Sequence, residues 1–186
     1  MKVLANDGLE ISAINEIKKN GIYIETNHLD KEELIENIKN YDVLVVRSNT
    51  KVTSDVLEAG AKGNLKLVIR AGVGIDNIDL DYAKKVGIKV SNTPDASSDS
   101  VAELALGHMF SVARYIAVAN YTMRNGQWNK KQYKGSEIAG KILGIIGMGR
   151  IGKALAGKAE ALGMKIIYAD VLGKQDNLAY EFMDLD

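Results

Sequence analysis

The sequence predicts an α/β protein: a doubly wound parallel sheet in the first half, then a long linking helix, then a smaller strand-helix-strand unit. Two observations predict it. From Met1 to Val90 short apolar runs alternate with amphipathic stretches, and from Lys141 to Asp170 the chain reads KILGIIGMGRIGKALAGKAEALGMKIIYAD. Alternating strands and helices give a parallel sheet with both faces covered, because each crossover lays its helix against the sheet. In the second stretch an apolar run leads into spaced glycines, an Ala-rich amphipathic segment and a second apolar run ending on an acid.

In the first half the candidate strands are Lys2 to Ala5, Ile22 to Ile24, Val43 to Val46, Leu67 to Ile69 and Ile88 to Val90. Between them Ile11, Ile14 and Ile17 share one helical face, and Leu34, Ile35 and Ile38 share another. Asp30 with Glu33 three residues on reads as a capping box for that second helix. Thr53 and Asp79 read as caps of two further short helices, the latter ended by Gly87. This pattern predicts a flavodoxin-like domain over residues 1–95, and ligands of such sheets collect at the carboxyl ends of the strands. The loops to watch are therefore Arg47 to Thr53 and Arg70 to Asn77.

Asn92 to Asp99 holds the only Pro and a cluster of turn-forming polar residues, which places a domain boundary there. A helix is then expected from Ser100 to about Met123. Val101, Leu104, Ala105, His108, Val112, Ile116 and Ala119 form one apolar stripe on it, and Leu106, Phe110, Ala113 and Ala117 a second. A helix apolar on two sides is expected to lie buried between domains or against a second subunit. Asn125-Gly126 ends it, and a wetter segment with Trp128 leads into the glycine-rich strand.

Residues 96–186 thus comprise a linking helix and a partial Rossmann βαβ unit. Gly147, Gly149 and Gly152 stand in G-x-G-x-x-G spacing directly after the strand Ile142 to Ile146. For a dinucleotide ligand the first glycine permits the sharp turn, the second lets backbone approach the pyrophosphate, and the third lets helix sit close on strand. The helix start then presents unpaired N–H groups and a positive dipole end to the phosphates. Asp170 follows at about the 20-residue distance at which a second strand delivers a carboxylate to the adenosine ribose. That carboxylate would repel a 2′-phosphate, so the expected cofactor is NAD rather than NADP.

Composition narrows the class. The 186 residues carry 24 basic and 24 acidic side chains, so net charge gives no footprint for nucleic acid or an anionic membrane. Cys is absent, which excludes disulfides, thiolate nucleophiles and Cys-ligated metal and fits a reducing cytoplasm. No run reaches transmembrane length, and the start lacks the apolar core of a signal peptide. No metal site is expected.

VRSNTKVT (Val46 to Thr53), NLKLVIRAGVGIDNID (Asn64 to Asp79), NTPDASSDSVAEL (Asn92 to Leu104), NGQW (Asn125 to Trp128) and GIIGMGRIG (Gly144 to Gly152) follow one another in order. That series resembles the D-2-hydroxyacid dehydrogenase family, and its Arg-Ser and Thr-Lys-Val-Thr element resembles the phosphoglycerate-oxidising branch. The resemblance implies that the Gly72, Val73 and Gly74 amides bind a small anionic substrate's carboxylate, which accords with a nest of backbone N–H groups. It implies that Arg47 and Arg70 pair with carboxylate or phosphate, with Ser48 beside them. Arg150 and Ile151 join Gly147, Gly149, Gly152 and Asp170 at the cofactor by motif position.

By the same resemblance the catalytic Arg, Glu and His lie beyond the second Rossmann strand, and the chain stops at Asp186. No catalytic residue is therefore expected here. His28 falls in a polar loop and His108 on the long helix. Three readings stand: the N-terminal fragment of an NAD-dependent phosphoglycerate-oxidising enzyme, inactive by itself and binding NAD weakly or not at all; a nonenzymatic nucleotide-binding or scaffold module; or a fragment of a glyoxylate or hydroxypyruvate reductase of the same family. A half-built Rossmann sheet leaves strand edges open, so a homodimer is expected, including one that exchanges its βαβ unit.

Overall fold

In the computed structural model, which describes residues 1–185, the apolar runs of the first half become five strands. These are β1 (Lys2–Ala5), β2 (Tyr23–Glu25), β3 (Val43–Val46), β4 (Leu67–Arg70) and β5 (Lys89–Asn92), ordered β2-β1-β3-β4-β5 and all parallel. Successive side chains on a strand point to opposite faces. Leu4, Leu44 and Val46 accordingly enter one core with Leu34, Val56 and Val68, while Val3, Ala5, Val43 and Val45 enter another with Ile24. Two cores on two faces make the sheet doubly wound.

The crossovers carry α1 (Ile11–Lys19), α2 (Lys31–Asn37), α3 (Ser54–Ala61) and α4 (Leu80–Lys85). The capping box at α2 is formed: Glu33 N–H donates to Asp30 Oδ1 at 2.9 Å, and Asp30 N–H donates to Glu33 Oε2 at 3.2 Å. Asp79 accepts from Tyr82 N–H at 2.9 Å, and Gly87, at φ +76°, ends α4. Thr53 occupies the N-cap position of α3, yet its hydroxyl makes no cap bond and is buried without a partner among the described residues.

The chain falls into two compact units, Met1–Ala96 and Ser97–Asp186. In the second, the single helix expected to Met123 is two: α5 (Ser98–Arg114) and α6 (Ile116–Arg124), bent by 64°. Tyr115, at φ +57°, breaks it. The cause lies downstream, where Ser136 N–H takes the Ala113 carbonyl at 2.9 Å and the Tyr133 ring stacks on Tyr115 at 5.7 Å.

α5 packs on α7 (Arg150–Ala161). Its packed line runs through Ala102, Leu106 and Met109. Small residues on α7, Gly152, Ala156 and Ala159, are buried. Of the two expected apolar stripes, the one through Val101, Leu104, His108, Val112 and Ile116 is exposed within this unit.

The glycine-rich unit is β6 (Ile142–Ile146), α7 and β7 (Lys165–Ala169). The chain does not end its sheet there: β8 (Glu181–Phe182) pairs parallel with β7, giving the order β6-β7-β8. Sequence reading missed β8 because two residues carry no periodicity. The pairing is instead held by Phe182 edge-on to Tyr168, ring centroids 5.4 Å apart. Among the described residues no single helix is long and apolar enough to cross a membrane.

Candidate functional site

Gly147 follows β6 at φ +93°, a conformation L side chains rarely adopt, and turns the chain into α7. A Cβ on Gly152 would sit 2.3 Å from the Gly147 carbonyl oxygen, so the helix rests on the turn as closely as backbone allows. Gly149, the exposed N-cap residue, has nothing within 4 Å of where a Cβ would stand, and its amide donates to no partner among the described residues. The three glycines therefore do different work: a turn, an open approach and a close contact. Arg150 and Ile151 form the first turn of α7, with Ile151 exposed.

Asp170 stands immediately beyond β7, and its carboxylate returns to the glycine turn. Oδ2 accepts from Met148 N–H at 2.7 Å and Oδ1 from Leu172 N–H at 2.9 Å. The Leu172 and Met148 amides hold the carboxyl below its usual range, with Lys153 nearby adding to the effect against burial. The group is thus ionised and part-exposed at the mouth of the turn. Val171 and Leu172, the next two side chains, are exposed. This arrangement fits a dinucleotide: at a helix start the Gly149 amide donates to no acceptor among the described residues, and an anionic acceptor stands at the same turn.

In the first unit the watched loops meet through the isolated bridge between Val52 and Ile78. Asp7 ties down the Arg47 to Thr50 loop, accepting from Arg47 N–H at 2.6 Å, Thr50 N–H at 3.1 Å and the Thr50 hydroxyl at 2.6 Å. Asn77 Nδ2 holds the other side, donating to the Arg47 and Thr50 carbonyls at 2.8 and 2.7 Å. Buried Asn6 donates to Thr50 Oγ1 at 2.9 Å. The side chains of Arg47 and Ser48 are left exposed by this clamp.

Arg70 ends β4 and folds over its own loop: a Cβ on Gly72 would stand 1.7 Å from Arg70 Nη1, so the glycine makes room for the guanidinium. Arg70 Nε is buried with no acceptor among the described residues, a donor whose desolvation is not offset by a hydrogen bond. Of the three nest amides, Gly72 N–H is taken by the Arg70 carbonyl at 2.9 Å. Those of Val73 and Gly74 donate to no acceptor among the described residues, and both residues are exposed. The expected three-amide nest is therefore a two-amide one, because the loop closes on itself at Gly72. Asn92 Nδ2 anchors it, donating to the Val73 carbonyl at 2.6 Å.

Sequence reading passed over Asn6, Asp7, Thr50 and Asn77. Asn6-Asp7-Gly8 reads as a turn, and only its place at the carboxyl end of the first strand signalled more. His28 Nδ1 lies 2.9 Å from the Asn6 carbonyl, and its charge helps to lower the Asp7 carboxyl. His108 is exposed on α5. No group of three or more metal-ligating side chains occurs among the described residues.

Comparison with known proteins identifies the family. The family model for "D-isomer specific 2-hydroxyacid dehydrogenase, catalytic domain" matches residues 3–178. The chain is 50% identical over 186 residues, its whole length, to hydroxypyruvate reductase of Thermotoga maritima, of which it covers 60%. It is 50% identical over 170 residues, 91% of its length, to D-3-phosphoglycerate dehydrogenase of Methanocaldococcus jannaschii, of which it covers 32%. An acyclic imino acid reductase solved with NADPH and D-Arg superposes with a TM-score of 0.83 at 31% identity, over 99% of this chain and 60% of the other. The chain thus spans between 32% and 60% of the length of these relatives. With nicotinamide cofactors bound among its structural neighbours and the match running through both units, the chain belongs to the D-isomer specific 2-hydroxyacid dehydrogenase family.

Proposed function

We propose that this chain is the substrate-loop and dinucleotide-binding part of an NAD-dependent oxidoreductase, the whole protein oxidising 3-phospho-D-glycerate to 3-phosphohydroxypyruvate in serine biosynthesis. One observation carries the cofactor reading: the Asp170 carboxylate, held ionised, stands at the glycine turn where an adenosine ribose is received. Ribose hydroxyls donate to such an acceptor; a 2′-phosphate is repelled by it. Gly149 N–H and the start of α7 receive the pyrophosphate. Bound there, the nicotinamide supplies the hydride acceptor.

On the first unit the Val73 and Gly74 amides with Arg70 receive the carboxylate of a 2-hydroxyacid. Exposed Arg47 offers a guanidinium fork to a second anionic group, which a phosphorylated substrate has. Hydroxypyruvate reduction is the second reading, favoured by the reductase match over the full chain. In the whole protein, Arg47→Ala should raise KM for 3-phosphoglycerate far more than for hydroxypyruvate under the first reading, and leave both alike under the second.

Neither His28, tied to the Asn6 carbonyl, nor exposed His108 is placed as the general acid/base of hydride transfer. The 186-residue chain is therefore expected to bind without turnover. Calorimetry tests the reading: NADH should bind and NADPH bind at least tenfold more weakly, with Asp170→Ala losing about 1 to 2 kcal/mol for NADH. Equal affinity for the two cofactors would remove it.

A further inference from the structure

Gln175 lies five residues beyond the acid, in the loop between β7 and β8, where no motif points. Its backbone N–H donates to the hydroxyl of Tyr168 at 2.8 Å, and Tyr168 is itself fully buried in the core beneath the sheet. The loop is thus pinned to a rigid point. From there the Gln175 side chain reaches back, Nε2 donating to the Met148 carbonyl at 3.1 Å.

Met148 sits between the two glycines that matter, and it is held on every side. Its side chain is wholly buried, its N–H is held by Asp170 and its carbonyl by Gln175. The carbonyl of Met148 and the N–H of Gly149 belong to one peptide plane. No cis peptide occurs among the described residues, so the two groups point in opposite directions. Whatever fixes the Met148 oxygen therefore fixes where the Gly149 N–H points, and that N–H, on an exposed residue, donates to no acceptor among the described residues.

We infer that Gln175 is a positioning residue for pyrophosphate: by holding the Met148 carbonyl it aims the Gly149 amide at the phosphate of an ADP-containing ligand before the ligand arrives. This rests on the nucleotide reading above and adds a division of labour to it. Asp170 serves the ribose end, whereas Gln175 serves the phosphates through a peptide plane and touches no ligand atom. Preorganising a donor in this way removes an ordering cost from binding.

Gln175→Met keeps the length of the side chain and deletes the donor; Gln175→Glu keeps its shape and replaces the donor with an acceptor. Both are compared with the unaltered 186-residue chain by NMR titration with ADP-ribose and with adenosine, which has no phosphate. The expected result is ADP-ribose affinity about 5-fold weaker in both variants, the worth of one neutral hydrogen bond, with adenosine affinity unchanged and the Gly149 amide resonance shifted in the free protein. ADP-ribose binding as tight as in the unaltered chain, or ADP-ribose and adenosine weakened alike, would overturn the inference while leaving the nucleotide site standing. An unaltered chain that binds neither ligand would overturn the site itself, and the role of Gln175 with it.

Discussion

Asp7 accepts three hydrogen bonds from the loop that follows β3, and these settle its ionisation. Burial works against the charge, but the Thr50 hydroxyl, the Thr50 and Arg47 amides and the nearby His28 outweigh it and hold the carboxyl below its ordinary value of 3.8. A carboxyl depressed on folding stabilises the native state above its unfolded pKa, and that contribution is lost as pH falls through the lower folded value. Asp7→Ala should therefore cost about 2 kcal/mol at pH 7, the scale of hydrogen bonds to a charged group, with the difference shrinking at pH 3. Urea midpoints at the two pH values measure this; an equal loss at both would assign the cost to packing rather than charge. The same substitution frees the backbone of Arg47, so loosened anion binding on the first unit is expected to accompany it.

Helix α7 contains two glycines whose surroundings differ, and the contrast tests what the G-x-G-x-x-G spacing is for. Gly152 abuts the Gly147 carbonyl, whereas Gly157 has nothing within 4 Å of an added Cβ. Gly152→Ala must push the helix off the turn and should cost about 1 to 3 kcal/mol together with nucleotide binding. Gly157→Ala adds a methyl to open space in a helix interior and should stabilise by about 0.5 to 1 kcal/mol. Thermal denaturation of the pair decides it, and a Gly152→Ala protein as stable as its parent would refute close packing as the reason for the third glycine. Elements of this kind were legible in the sequence because their determinants are local: apolar runs at β1 and β3, the Asp30–Glu33 box and the glycine spacing each lie within one stretch of chain. The break at Tyr115 was not legible, since it depends on Tyr133 and Ser136 returning to the end of α5. At the site, the glycines and Asp170 could be read from spacing. The clamps by Asp7, Asn77 and Gln175 could not, because each joins loops brought together only by the parallel sheet.

At the scale of the molecule, the second unit exposes apolar surface that a folded chain does not usually leave to water. Val112 on α5 is 78% exposed, with Val101 and Leu104 exposed on the same helix. Strand β6 lies at the edge of its sheet with Ile146 77% exposed, and an unpaired parallel edge is a template for another chain. We propose that a second copy of this chain covers these surfaces, either by apposing the two stripes or by exchanging the βαβ units. Sedimentation equilibrium at micromolar concentration should then give a dimer. Leu104→Glu with Val112→Glu changes two side chains already in solvent, so it should leave the unfolding free energy from urea titration at low protein concentration within about 0.5 kcal/mol of the parent. Placed on an apposed stripe, the same four carboxylates per dimer would be desolvated without partners, and association should fail. A parent that sediments as a monomer sinks the dimer. A double variant that still dimerises moves the contact from α5 to the free edge of β6, where Ile142→Lys and Ile146→Lys become the decisive pair, since charged side chains on an open edge oppose its pairing with another strand.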